Sequence, residues 1–124
     1  MTAEEPGLAR GLPEDPDSET LVRAYYDSLD THDYDRLESL LAPEFRHDRP
    51  DMSLEGRTEF VTFMREKRPA TRTSHPIETI YHAGENTVAV AGQLVNHDGE
   101  SITGFVDRFT ITSGAISEIK TYTD

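Results

Sequence analysis

From Pro69 onward the apolar residues keep a period of two to the end of the chain, and that limits the folds open to it. Before Pro69 the spacing is helical except in one short stretch. Leu21, Val22, Tyr25, Tyr26 and Leu29 share one face after a capping pair at Asp17-Ser18. Tyr34, Leu37, Leu40 and Leu41 share another after Asp33, and Pro43 stops that run. Phe45 to Arg49 reads as a short strand ended by Pro50, with Phe45, His47 and Arg49 on one face. Gly56 opens a third helix whose Phe60, Val61, Phe63 and Met64 face inward, ending near Arg68-Pro69. After Pro69 the period becomes two. Strands are predicted over Thr71–His82, Thr87–Asn96, Ser101–Thr112 and Ala115–Thr123, with turns at Gly84-Glu85-Asn86, His97-Asp98-Gly99-Glu100 and Ser113-Gly114. Three helices with one early strand, followed by a four-stranded antiparallel meander, describe an α+β domain with the helices on one face of the sheet.

Residues 1–17 stand apart from that pattern. Pro6, Pro13, Pro16, Gly7, Gly11 and five acids leave them no apolar periodicity. They are expected to form an acidic arm, with the folded domain running over residues 18–124. A chain of 124 residues has room for one domain of ordinary size.

The charge excludes whole classes of partner. Asp and Glu number 24 against 12 Lys and Arg, a net charge of −12. Nucleic acids and anionic membranes require clustered basic residues to neutralise phosphate, so neither is an expected partner. No apolar run approaches the ~20 residues that span a bilayer. The opening Met1-Thr2-Ala3-Glu4-Glu5-Pro6 lacks the apolar stretch of a signal peptide, which makes the cytoplasm the expected location. With no cysteine, the chain has neither disulfides nor a thiol nucleophile. Ten of the 12 basic residues are arginine, and acids are spread over every segment. That surface suits a protein of concentrated salt, where self-repulsion is screened at short range, so a halophilic protein is expected.

The local sequence carries a resemblance. The stretch Leu21-Val22-Arg23-Ala24-Tyr25-Tyr26-Asp27-Ser28-Leu29-Asp30, with Asp33-Tyr34-Asp35-Arg36-Leu37 and Leu40-Leu41-Ala42-Pro43-Glu44-Phe45, resembles the opening of SnoaL-like polyketide cyclases, ketosteroid isomerases and scytalone dehydratases. Leu54-Glu55-Gly56-Arg57-Thr58-Glu59-Phe60-Val61 is similar to the glycine-led third helix of that nuclear transport factor 2-like superfamily. Phe105-Val106-Asp107-Arg108-Phe109 and Gly114-Ala115-Ile116 resemble its penultimate strand and last turn. The resemblance covers residues 18–124 and implies a cone-shaped barrel, a curved and mostly antiparallel sheet wrapped around three N-terminal helices (cystatin-like), with a pocket at its open end. The inward face implied is Phe45, His47 and Arg49, then Thr73, His75 and Ile77, then Val88, Val90 and Gly92, then Phe105, Asp107 and Phe109, then Ile119 and Thr121.

Within that frame the chemistry-bearing residues are few. Asp107 sits between Phe105 and Phe109 on the inward face, where lost hydration raises a carboxyl's pKa and makes it a proton donor. The resemblance puts it where ketosteroid isomerases carry the protonated aspartic acid of their oxyanion hole, and puts Tyr25 where they carry the phenol. Arg49 falls where those enzymes have their general base, and a guanidinium cannot abstract a proton at neutral pH. It is expected instead to clamp a substrate carboxylate or enolate, or to pair with Asp107. His75 matches the catalytic histidine of scytalone dehydratases and Asp30 the aspartate that orients it, a pairing that fixes the imidazole tautomer for general acid/base work. The dehydratase's second histidine falls at Gly92, so the set is incomplete.

His47 is the second inward imidazole and a substrate contact. Phe60, Phe105 and Phe109 are the expected apolar contacts. Asp48 faces away, and no H-x-H or H-E-x-x-H spacing, phosphate-cradling glycine loop or dinucleotide fingerprint is present, so no metal or cofactor is implied. His82 and His97 fall near turns and read as solvent residues.

Ile80, Ala89, Ala91, Gln93, Val95, Val106 and Tyr122 are expected on the outer face of the sheet. A small and apolar outer face predicts a covering partner, and the resemblance implies a homodimer through this sheet. The reading that follows is a small-molecule-binding domain with cofactor-free proton-transfer chemistry: isomerisation, cyclisation, dehydration or hydration of a small carbonyl or hydroxy compound. The alternatives are a non-catalytic ligand-binding or dimerisation module, and a protein that binds an acidic metabolite through Arg49.

Overall fold

The computed structural model describes residues 17–66, 73–84 and 86–124. The expected arm therefore lies outside the described residues except for Asp17, as do the end of the third helix, Thr71 and Glu85. Three helices, α1 (Ser18–Asp30), α2 (Tyr34–Leu40) and α3 (Arg57–Glu66), pack on one curved sheet. Its strands are β1 (Leu41–Asp48), β2 (Ser53–Glu55), β3 (Ile77–His82), β4 (Thr87–Val95), β5 (Ser101–Thr112) and β6 (Ala115–Thr123), in the spatial order β2-β1-β6-β5-β4-β3. The fold is α+β, and among the described residues the curved sheet is open, with β2 and β3 as separate edges rather than closed into a barrel. Every pairing is antiparallel except β1 with β6.

The caps are local chemistry. Asp17 accepts from the Thr20 amide at 2.8 Å to start α1, and Asp33 accepts from the Arg36 amide at 3.2 Å to start α2. The hairpin joining β5 to β6 places Ser113 and Gly114 both at positive φ, as a two-residue turn of this twist requires.

The elements depart from expectation in four places, and proline or a bulge accounts for those in the first and the long strand. The first strand begins at Leu41 rather than Phe45, directly after α2. Its pairing with β6 shifts register between Leu41 and Arg46, across Pro43, which has no N–H to give the ladder. The long strand expected from Thr71 is regular only from Ile77, because Pro76 interrupts it; Ser74 keeps a single bridge to Val95. A further shift between Ile77 and Thr79 brings Ile80 opposite Val90, on the concave face. Ile80 therefore packs against the core, and Tyr81 takes the outer position. Finally, β2 was not expected. Its three residues pair with Arg46–Asp48 through a turn closed by the Arg49 amide on the Met52 carbonyl.

The core lies between the helices and the concave face. Leu21, Val22, Tyr25 and Leu29 of α1 and Phe60 of α3 meet Phe45, Val88, Val90, Phe109, Ile116 and Ile119 of the sheet. Among the described residues no helix is long and apolar enough to cross a membrane.

Gly92 shows how tightly β3 is drawn over the sheet. A Cβ built there would lie 2.5 Å from the Pro76 carbonyl oxygen and 3.0 Å from Cζ of Phe105. Gly92→Ala is expected to lose about 1–3 kcal/mol of stability in urea unfolding; an unchanged midpoint would show that the Pro76 segment yields freely.

Candidate functional site

The concave face opens into a cavity of about 400 Å³. Apolar walls come from Tyr25, Leu29, Met64, Leu94 and Phe105, and polar groups from Tyr26, His47, Arg49, His75, Asp107 and Thr121. A mostly apolar cavity with a few convergent polar groups is the usual form of a small-molecule site.

Asp107 is the centre of the polar set. It is 7% exposed, flanked on β5 by Phe105 and Phe109, and registered opposite Thr121 of β6. Thr121 Oγ1 donates to Oδ1 at 2.5 Å and the Tyr26 hydroxyl donates to Oδ2 at 2.6 Å. Burial pushes the Asp107 carboxyl above the ordinary carboxylate value, and the two donors, His75 and Arg49 pull the other way. The Tyr26 phenol is driven well above its usual range by its own burial and then by the Asp107 charge. The expected phenol was Tyr25, one residue earlier. Tyr25 instead packs edge-on to Phe109 with centroids 5.4 Å apart and lines the apolar wall, while Tyr26 reaches the carboxyl.

His75 and Asp30 meet as expected. His75 Nδ1 lies 2.6 Å from Asp30 Oδ1, and the His75 amide donates to Oδ2 at 3.1 Å. A carboxylate at the end of α1 accepts both N–H groups, which leaves Nε2 as the lone pair of the ring. The imidazole packs at 5.5 Å from the Tyr26 ring and 5.8 Å from Phe105, on the cavity wall.

Arg49 does not pair with Asp107. Its Nε and Nη2 donate to the two oxygens of Asp51 at 3.2 and 3.3 Å, and its guanidinium lies 5.6 Å from the centroid of Phe63. The nearer partner wins because Asp51 is two residues away across the Pro50 turn, whereas both Asp107 oxygens already hold hydroxyl donors. Arg49 still lines the cavity, beside Pro50 and Asp51.

His47 is 6% exposed, with Nε2 at 2.8 Å from Thr121 Oγ1. Its Nδ1 is buried and has no hydrogen-bond partner among the described residues. Burial first, and the Arg49 charge second, lower its pKa from 6.5 to about 3, so the ring is neutral in the folded protein at neutral pH. Phe60 and Phe109, expected as ligand contacts, are fully buried and sit behind the cavity wall: Phe60 packs on Phe45 and His47, and Phe109 on Tyr25 and Tyr26. His82 and His97 are half exposed, near Glu19 and Asp98. Among the described residues no group of three His, Asp or Glu is placed to hold a metal ion.

Sequence pattern alone gives neither Tyr26 nor Thr121 a role in the cavity. Thr121 was legible as an inward residue, and its position directly across from Asp107 is the signal that marks it.

Known proteins share this fold. The family described as SnoaL-like domain matches residues 22–119. An NTF2-like protein from Cytophaga hutchinsonii superposes with a TM-score of 0.73 at 17% identity, over 86% of this chain and 88% of its own. A candidate ketosteroid isomerase from Kribbella flavida gives 0.73 at 22%, over 84% and 75%. An LEH-like epoxide hydrolase from M. tuberculosis gives 0.70 at 17%, over 84% and 80%. A search of curated proteins finds no match.

The burial of His47 sets a pH dependence. An unfolded chain protonates this ring below about 6.5 and the folded one only near 3, so the wild type loses stability as pH falls through that window. His47→Gln, which keeps a side-chain N–H and does not titrate, should remove a slope of about 1.4 kcal/mol per pH unit there. Parallel stability curves for the two proteins between pH 6.5 and 4 would contradict the burial of a neutral ring.

Proposed function

The chain belongs to the SnoaL-like domain family, and within it we propose that the cavity performs general acid–base proton transfer on a small, partly apolar carbonyl or hydroxy compound. The reaction class is isomerisation, cyclisation, dehydration or hydration. The observation that carries this reading is that two separate proton-handling assemblies line one cavity. Asp30–His75 presents an imidazole lone pair, and Tyr26–Asp107–Thr121 presents a buried carboxyl with two hydroxyls. A group that can take a proton and another that can give one, both lining the same cavity, are what proton transfer on a bound ligand requires.

In this reading His75 Nε2 takes a proton from carbon or hydroxyl, and Asp30 holds the ring and stabilises the imidazolium that forms. The Tyr26–Asp107 pair delivers a proton to the ligand oxygen on which charge develops. Arg49 is neither acid nor base. At the mouth of the cavity, beside Asp51, it recognises the oxygen-rich end of the ligand. Leu29, Leu94, Met64 and Phe105 exclude water around the reacting carbon. The resemblance of the fold to isomerases and to an epoxide hydrolase supports the class of chemistry.

One observation favours a binding-only alternative: Asp107 and Asp30 are each already satisfied by partners within the protein. Solvent-proton exchange separates the two. Small cyclic and aryl ketones, first screened for binding by thermal shift, are incubated with the protein in D₂O and their α-protons followed by NMR. Exchange by the wild type, falling about 10²–10⁴-fold in His75→Ala, supports catalysis. Ketones that bind without exchanging assign the cavity to binding alone.

We also propose that the outer face joins two copies of the chain. Tyr81, Val106 and Tyr122 are 58%, 38% and 47% exposed there, with Ala89 and Ala91 between them. Sedimentation velocity should show a dimer for the wild type and a monomer for Val106→Lys/Tyr122→Glu. A monomeric wild type would remove the proposal.

A further inference from the structure

Four side chains from four elements form one hydrogen-bonded line: His47 of β1, Thr121 of β6, Asp107 of β5 and Tyr26 of α1. The line has fewer hydrogens than it has ways to place them, and that shortage gives it a direction. Thr121 has one hydroxyl hydrogen and two neighbours within reach, His47 Nε2 at 2.8 Å and Asp107 Oδ1 at 2.5 Å. His47, neutral in its burial, has one N–H.

Were that hydrogen on Nδ1, it would be a buried donor with no acceptor, since Nδ1 has no partner among the described residues. Orphaned buried N–H groups are rarer than under-satisfied acceptors. The hydrogen therefore sits on Nε2 and is given to Thr121, which obliges Thr121 to give its own to Asp107 Oδ1. With Thr121 bound to donate to Oδ1, Oδ2 is the oxygen whose neighbour, Tyr26, can turn its hydrogen away and accept a proton instead.

Granted the acid–base reading of the cavity, we infer that His47 and Thr121 are positioning residues that confine the proton of Asp107 to Oδ2, so that Tyr26 turns its own hydroxyl hydrogen toward the ligand. Proton delivery is then a two-step relay that balances. The Tyr26 hydrogen passes to the ligand oxygen, and the Oδ2 hydrogen passes to the Tyr26 oxygen. Asp107 is left as the carboxylate, and Tyr26 again donates to it, in the arrangement the structure shows. His75 meanwhile holds the proton taken from the ligand, and exchange with solvent restores both. When Asp107 is ionised, the Tyr26 hydrogen is committed to Oδ2 and withheld from the ligand. The groups that face Asp107 and bias this choice are Tyr26 from α1, His75 ahead of β3, Thr121 from β6 and Arg49 after β1.

The first test needs no variant and no ligand. Long-range ¹H–¹⁵N correlation spectra of the full-length protein at neutral pH report which nitrogen of each histidine carries hydrogen. The expected result for His47 is a protonated Nε2 and a bare Nδ1; a protonated Nδ1 overturns the inference. The second test follows the Asp107 carboxyl carbon by ¹³C NMR as pH is varied. In Thr121→Val, which loses the Oδ1 donor, its titration should move up by a unit or more, and in Thr121→Ser it should return to the wild-type position. An Asp107 titration unmoved in Thr121→Val overturns the inference, and if that variant does not fold, the wild-type tautomer decides.

Failure of the parent reading looks different. Ketones bound without α-proton exchange, alongside an Nε2–H tautomer of His47, would remove the catalytic meaning of the line and with it the inference. Exchange in a protein whose His47 carries hydrogen on Nδ1 would remove the inference alone.

Discussion

A carboxyl taken out of water on the concave side of a sheet must be met by donors, and much of this site is built around meeting one. Asp107 lies between two phenylalanines, opposite Val90 on one neighbouring strand and Thr121 on the other. The main chain of β5 is committed to the ladders on both sides, so the donors must be side chains. Two hydroxyls supply them, one from across the sheet and one from the helix lying over it. Each constrains something larger. Tyr26 ties α1 to the middle of the sheet. Thr121 ties the β5–β6 pairing to His47 on β1, so that three adjacent strands are cross-linked by polar contacts inside an otherwise apolar layer.

Local competition explains the fate of Arg49. An interior arginine beside a buried carboxylate looks like a pair, yet the charged group that reaches Arg49 is Asp51, two residues along the chain. Closing so short a loop costs little entropy. Satisfying Asp107 with neutral hydroxyls also avoids stripping water from a guanidinium, a cost that an ion pair in an apolar layer must overcome. The carboxyl is thereby left with its pKa raised. A bidentate arginine would have held it low.

The parts of this molecule that were legible from sequence are those decided by period and by neighbours in the chain. The change of period at Pro69 separates helices from meander, Asp17 and Asp33 cap helices as their residue type predicts, and the inward set from Phe45 to Thr121 follows alternation. Alternation fails at bulges, since one extra residue exchanges the two faces of everything beyond it. Ile80 and Tyr81 trade places for that reason alone. The choice between Tyr25 and Tyr26 fails for a related reason. Successive helical residues lie about 100° apart, and both phenols sit on a buried arc wide enough to hold them. Which one meets Asp107 depends on the angle at which the helix crosses the sheet, and that is fixed by contacts far away in sequence. Asp30 and His75, 45 residues apart, were found through resemblance; neither spacing nor pattern joins them.

Stability by itself does not call for this polar set. A domain that needed only a core would gain by placing apolar residues at positions 47 and 107, because a buried neutral imidazole with an orphaned nitrogen and a desolvated carboxyl both lower stability somewhere on the pH scale. The costs also run in opposite directions. His47 weakens the fold as pH falls below 6.5, and Asp107 weakens it as pH rises from the ordinary carboxylate value of 3.8 toward its own raised one. The two groups share Thr121, so their demands meet at a single hydroxyl. Meanwhile Val88, Val90, Phe109 and Ile119, on the same inward face of β4 to β6, are apolar and fully buried. Rule-breaking that is confined to one end of a well-packed core, and faces one cavity, belongs to what the cavity does.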